Sequence, residues 1–227
     1  MMRLMKRLHS NGLLACVACA LAIATIAADA PTTRLAATAS PNDVVLRAAR
    51  SFAEGGGYNT TWAGSGTPEE ITFQGERVLA RGTGGTYCCG YTFAVAMKAG
   101  QQLKLFEGKS LEQIKRFQKE WYGAVAEPPI REKQCALAVG NLGVGREVSA
   151  DEARPGDFMQ LWRTTKSGHS VIFLSWIEKD GKRIGFNYRS SQGSTAGIGD
   201  AAEYFSDSGV EGGKVLRDRI YFGRFER

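Results

Sequence analysis

The hydrophobic pattern of the chain changes period at Arg154-Pro155-Gly156-Asp157. Before this point apolar residues recur at helical spacing; after it they alternate or run together between Gly and Asp turns. In "SLEQIKRFQKEWYG", Leu111, Ile114, Phe117 and Trp121 form one stripe, and Ser110 with Gln113 makes a capping box. "PNDVVLRAARSFAEGGG" predicts a helix capped by Asn42 or Asp43, with Val45, Leu46, Ala49 and Phe52 on one face. "PPIREKQCALAVGNLGVG" predicts one further helix, Pro at its start and Gly past its end, with Cys135 inside it as a buried core residue. Beyond the switch, "FMQLWR", "HSVIFLSWIE", "KRIGFNYRS" and "KVLRDRIYFGRF" read as strands. A chain sorted this way predicts an α+β fold: helices in the first half packed on an antiparallel sheet in the second.

Residues 55 to 86 carry nine glycines and little periodicity, which predicts loop with one short strand at "EEITF". The loop runs straight into "TYCCGYTFAVAM", an apolar helical pattern that ends near Gly100.

The chain begins as an exported protein does. Arg3, Lys6 and Arg7 precede the apolar run "GLLACVACALAIATIAA", and small residues crowd its end. Residues 1–27 are expected to be a removed signal peptide, 28–40 a linker and 41–227 one domain. The run is shorter than the roughly 20 apolar residues of a spanning helix, so no stable membrane span is expected after cleavage. "LLAC" offers Cys16 as a lipoprotein acylation site, the lesser alternative. The destination is periplasmic or secreted. The net charge of +6 is partly leader, and no dense basic run or nucleic-acid motif follows, so no nucleic-acid partner is expected.

Cleavage leaves Cys88, Cys89 and Cys135, an odd number in an exported chain, so at least one thiol is unpaired. Adjacent cysteines bond poorly to each other. Cys88 or Cys89 falls at a helix N-terminus, where unpaired N–H groups and the helix dipole favour a thiolate. The same N–H groups can hold an oxyanion. The plain alternative is a pair of small apolar residues opening a core helix. A thiolate enzyme needs a base, and His169 is the one histidine beyond the leader. It stands after a Gly turn at the mouth of an apolar strand, an arrangement suited to nucleophilic catalysis. The plain alternative is a surface histidine beside a turn.

A third group should orient the imidazole. If Asp180-Gly181 is a two-residue turn, Lys179 pairs with Lys182, and counting outward sets His169 opposite Gln192. Asn187 is the competitor: it has the wrong parity, which a bulge would reverse. Ser190 has the right parity but orients an imidazole less well. No metal site is expected, since one histidine and two adjacent cysteines lack chelating spacing. "GTGGTYCCG" lacks the Lys-Ser/Thr of a phosphate loop, and no cofactor is expected.

"TYCCGYTF" with "RPGDFMQLWR…SGHSVIFLSW" resembles the motifs of the NlpC-type papain-like cysteine peptidases, a superfamily that includes CHAP-like amidases. The match covers residues 84 to 192 in pieces. The resemblance implies a papain-like core with Cys88 as nucleophile, Cys89 in the small residue's place, His169 as base and Gln192 as orienting residue. Cys89 and Asn187 stay as alternates for nucleophile and orienting residue. Residues 100 to 150 look like a helical insertion that compact members lack. "GGGYNTTWAG" resembles an aromatic-Gly stretch, which puts Tyr58, Trp62 and Tyr87 on the substrate side. The implied activity is hydrolysis of amide bonds in peptidoglycan peptides. Two alternatives are an acyltransferase or transglutaminase-like enzyme with the same dyad, and a non-catalytic wall-binding domain.

Overall fold

A helix with polar and charged residues on one side and Val44, Val45, Ala48 and Ala49 buried on the other opens the computed structural model, which describes residues 39–227. This helix is α1 (Pro41–Arg50). Its cap is Ser40, with Pro41 in the first turn and Asp43 closing the capping box. Neither Asn42 nor Asp43 is the cap, because Pro41 has no N–H to be satisfied and fits the first helical position, which puts the cap at Ser40, two residues before Asn42. The predicted signal peptide, Cys16 and most of the linker lie outside the described residues.

The glycine loop carries more structure than expected. It holds a two-residue strand β1 (Gly55–Gly56) and a hairpin of β2 (Ile71–Phe73) and β3 (Glu76–Leu79). Gln74 and Gly75 turn this hairpin with positive φ. The central helix α2 (Cys88–Gln102) is buried on nearly all sides, from Gly90 through Met97 and again at Ala99 and Gly100. A helix apolar all round must sit inside a core. α3 (Leu111–Trp121) keeps the capping box of Ser110 and Gln113 and buries Ile114, Phe117 and Trp121.

The helix expected after Pro128 is two. α4 (Pro128–Lys133) ends and α5 (Cys135–Asn141) begins at Gln134, whose φ of 43° and ψ of −114° no helix can contain. Cys135 is therefore the first residue of α5 rather than an interior one; it is fully buried, as expected.

The second half is one antiparallel sheet. Its strands are β4 (Gly145–Val148), β5 (Phe158–Arg163), β6 (Gly168–Lys179), β7 (Lys182–Gln192), β8 (Gly197–Tyr204) and β9 (Val215–Phe225). With β1 they run in the order β1-β8-β7-β6-β5-β9-β4. β4 and β8 are strands that the sequence pattern did not mark. The fold is thus mixed α+β with a large antiparallel sheet. One face of the sheet, through Phe158, Ile172, Ile198 and Phe225, packs under α1, α2, α3 and α5. The other face carries its own core of Met159, Leu161, Val171, Phe173, Phe186, Tyr188 and Phe222. The alternation of β5 and β6 feeds both. Among the described residues no helix is long and apolar enough to cross a membrane.

Candidate active site

α2 starts at Cys88 because Tyr87 is still extended, with φ of −139° and ψ of 168°. No side chain caps the helix and its first turn holds no acidic residue. First-turn N–H groups have no intrahelical partner; those of Cys89 and Gly90 face the Cys89 sulfur, and no side chain caps them. Gly90 fixes the depth of this end. A Cβ at Gly90 would run into the backbone of Gly66 and Ser65, so α2 lies directly against the glycine loop.

His169 is the second residue of β6 and is buried. A single hub ties its strand to the start of α2. Thr92 donates to the Cys88 carbonyl at 3.0 Å, lies 2.9 Å from Ser170 Oγ and accepts the Trp121 indole N–H at 3.0 Å. Ser170 follows His169 and faces the other way, so the hub sets the helix start against the strand start. Ser170 also donates to the Cys135 sulfur at 3.8 Å. Nothing in the sequence marked Thr92; its place four residues after Cys88 is the one available signal.

Cys88, Cys89, His169 and Gln192 line one cavity of about 540 Å³. All three cysteines of the described residues are free thiols, Cys88 and Cys89 half-buried. The two neighbours titrate in opposite directions. The Cys88 thiol is held well below its ordinary range by a hydrogen bond from Cys89; burial opposes this, and the His169 side chain adds its own hydrogen bond and charge. Cys89 is pushed well up by that bond to Cys88, by burial and by the Cys88 charge. Burial raises the Cys135 thiol to about 12. Of the three thiols, the surroundings favour the anionic form at Cys88 and the protonated form at Cys89 and Cys135.

The register of β6 and β7 explains where Gln192 falls. Pairing starts with Lys179↔Lys182, slips at an extra residue in β7 before Ile177↔Gly185, and slips back at an extra residue in β6 to give Ile172↔Arg189. The two bulges cancel, the β6–β7 pairing ends at Ile172↔Arg189, and beyond it His169 pairs with Leu161 of β5 and Gln192 with Gly197 of β8. Asn187 pairs instead with Ser175 and donates to its hydroxyl at 3.0 Å, well along the strand from the cavity. A bulge does reverse its parity, but Asn187 is five residues from Gln192 and does not join the site. Ser190 is spent on the Ser170 carbonyl at 2.7 Å.

Gln192 is itself oriented. Its Nε2 donates to Thr195 Oγ1 at 2.7 Å and to the Gly199 carbonyl at 3.3 Å. That leaves Oε1 as the free end. Three buried side-chain polar atoms of the described residues lack a partner: Gln160 Oε1, His169 Nε2 and Gln192 Oε1. Orphans of this kind are rare and costly in a folded chain. Here all three belong to residues lining the one cavity.

A charged cluster beside the imidazole was not expected from sequence. Arg163 grips Glu203 through its Nε at 2.7 Å, and Tyr188 donates to the same carboxylate at 3.1 Å. Tyr188 meets His169 edge-on with ring centroids 5.4 Å apart. Burial raises the Glu203 carboxyl, but the Arg163 hydrogen bond and charge outweigh it, and the group ends below its ordinary range. A buried, charged Arg163–Glu203 pair therefore stands near the imidazole.

The aromatic residues divide. Trp62 is 66% exposed, the one large apolar side chain so open among the described residues, and its indole N–H donates to Tyr58 Oη at 3.2 Å. Both line the cavity. Tyr87 is buried, its hydroxyl donates to Gly64 at 2.6 Å, and it packs edge-on against Tyr122. It builds the wall. The supposed insertion also reaches the cavity, through Tyr122 and Gln134. Among the described residues no group of three or more His, Cys, Asp or Glu could hold a metal ion.

Comparison with models of known protein families, with curated proteins and with solved structures gave no match.

Proposed function

We propose that the chain is an exported thiol hydrolase of the papain-like, NlpC type that cleaves amide bonds in peptidoglycan peptides. The observation that carries this reading is the Cys88 thiol at an uncapped helix start, held low in pKa and sharing a cavity with His169. The motif resemblance supplies the substrate class, and the leader supplies the compartment.

The chemistry follows from the atoms present. His169 takes the Cys88 proton, and the thiolate attacks the amide carbonyl. The first-turn N–H groups of α2 receive the developing oxyanion. The C–N bond breaks as the imidazolium returns the proton to the leaving amine. Water, deprotonated by His169, then attacks the thioester, releasing the acid and restoring the thiol. Gln192 Oε1 and His169 Nε2 both line the cavity without a partner, and in the proposed mechanism a shift of either side chain that pairs them would hold the imidazole in the Nε2–H tautomer. The Cys89 thiol donates to the anionic sulfur. Tyr58 and the exposed Trp62 provide a stacking surface at the mouth.

The test is turnover of muropeptides released from peptidoglycan by a muramidase, followed by mass spectrometry. The native mature chain should cleave an amide, Cys88→Ala should be inactive, and Cys89→Ala should keep activity. Binding that survives in Cys88→Ala with no turnover in the native protein would instead make this a wall-binding domain.

A further inference from the structure

Gln134 stands in a backbone conformation that belongs to glycine. Its φ of 43° and ψ of −114° match the first central position of a type II′ turn. Among the described residues sixteen glycines take positive φ against seven other residues, Gln134 among them, so glycine is the commoner solution. At position 134 the chain keeps a large side chain. Strain of this sort persists where something else requires the residue.

The usual structural reason is missing. Gln134 precedes α5 but its side chain makes no cap hydrogen bond. Its Nε2 has one long contact, 3.4 Å to the Arg131 carbonyl, and no hydrogen bond reaches its Oε1. Space has been made for it. A Cβ on Gly123 would approach Gln134 Nε2 to 2.9 Å, so the glycine there lets the carboxamide lie across it. The side chain lines the cavity of Cys88 and His169.

We infer that Gln134 is a specificity residue whose carboxamide pairs with a backbone amide of the substrate peptide beside the scissile bond. A carboxamide offers one acceptor and two donors, the complement of a peptide group. The cavity also favours an uncharged segment at this wall: apart from the Cys88 and His169 pair, Arg163 is the charged residue among those that line it, and Glu203 neutralises it. This inference rests on the hydrolase reading above and deepens it.

The experiment is Gln134→Gly, assayed on muramidase-released muropeptides. The variant should melt higher by roughly 2–6 °C, because strain is relieved. KM should rise about tenfold, the worth of one or two lost hydrogen bonds, while kcat stays within about twofold. Alkylation of Cys88 by iodoacetamide, which needs no peptide subsite, should keep its native rate. An unchanged KM would overturn the inference. So would slowed alkylation with a lower melting point, since Gln134 would then hold the wall and not the substrate. Absence of turnover by the native chain, with Cys88 alkylation independent of His169, would overturn the hydrolase reading and this inference with it.

Discussion

Cys88 and Cys89 are neighbours whose thiols are shifted in opposite directions. The same hydrogen bond lowers one thiol and raises the other, and His169 adds its contribution only to Cys88. The adjacent pair thus gains a physical account: the second thiol is a donor to the first. Removing it with Cys89→Ala costs the thiolate one hydrogen bond, about 1 kcal/mol. That is somewhat under one pKa unit. The Cys88 pKa should therefore rise, shifting the pH–rate profile of its alkylation upward by somewhat under one unit, while the rate at pH well above the thiol range is unchanged. A pH–rate profile of Cys88 alkylation in the variant checks this. Sequence alone placed a cysteine at a helix start and a histidine at a strand start, because both follow from local pattern. It did not reveal the Thr92 hub or the Arg163–Glu203–Tyr188 cluster. Those contacts join residues 29 to 78 and 15 to 40 positions apart, and no period encodes them.

At the level of elements, the strong periodic segments were legible. α3 has the expected capping box, and the four long strands lie where the alternation put them. The departures have local causes. One expected helix broke at Gln134, whose backbone conformation leaves no trace in hydrophobic spacing. β4 and β8 are short or glycine-bearing and take their pairing from neighbours. The two bulges between Lys179 and Ile172 cancel, which the sequence did not foretell, and the paired register ends at Ile172↔Arg189, three residues short of the counted His169–Gln192 pair. Gly90 gives this scale its prediction. Gly→Ala inside a helix ordinarily stabilises by up to about 1 kcal/mol. Here the new Cβ meets the backbone of Gly66 and Ser65, which cannot rotate away as a side chain would. Overpacking of that kind costs about 1–3 kcal/mol, so the net effect of Gly90→Ala should be destabilising. Chemical denaturation should show a lower midpoint, and Cys88 reactivity should fall with it.

For the whole molecule, the Pro-Gly-Asp turn is a structural clasp rather than part of the site. Asp157 is fully buried and receives two hydrogen bonds from Arg224, at 2.8 and 2.7 Å, and one from Asn42 at 2.8 Å. It thereby pins α1 and β9 to the start of β5. Removing one partner of a buried pair strands the other charge and costs about 3–5 kcal/mol. Asp157→Ala should lose that much in urea unfolding, and Asp157→Ala with Arg224→Met should recover part of it. A double variant no better than the single one would show that the Asn42 contact, and not the charge pair, carries the clasp.

The central claim is that Cys88 is the reactive thiolate, lowered by its bond from Cys89 and by His169, and that its reactivity depends on His169 as base. The most direct measurement is site-resolved alkylation of the mature chain with limiting iodoacetamide at about pH 6, where an ordinary thiol near pKa 8.5 is almost wholly protonated. Cys88 should be labelled first, ahead of Cys89 and Cys135, and His169→Ala should slow its labelling by about tenfold or more. Prior labelling of Cys89, or a Cys88 rate indifferent to His169, would contradict the account.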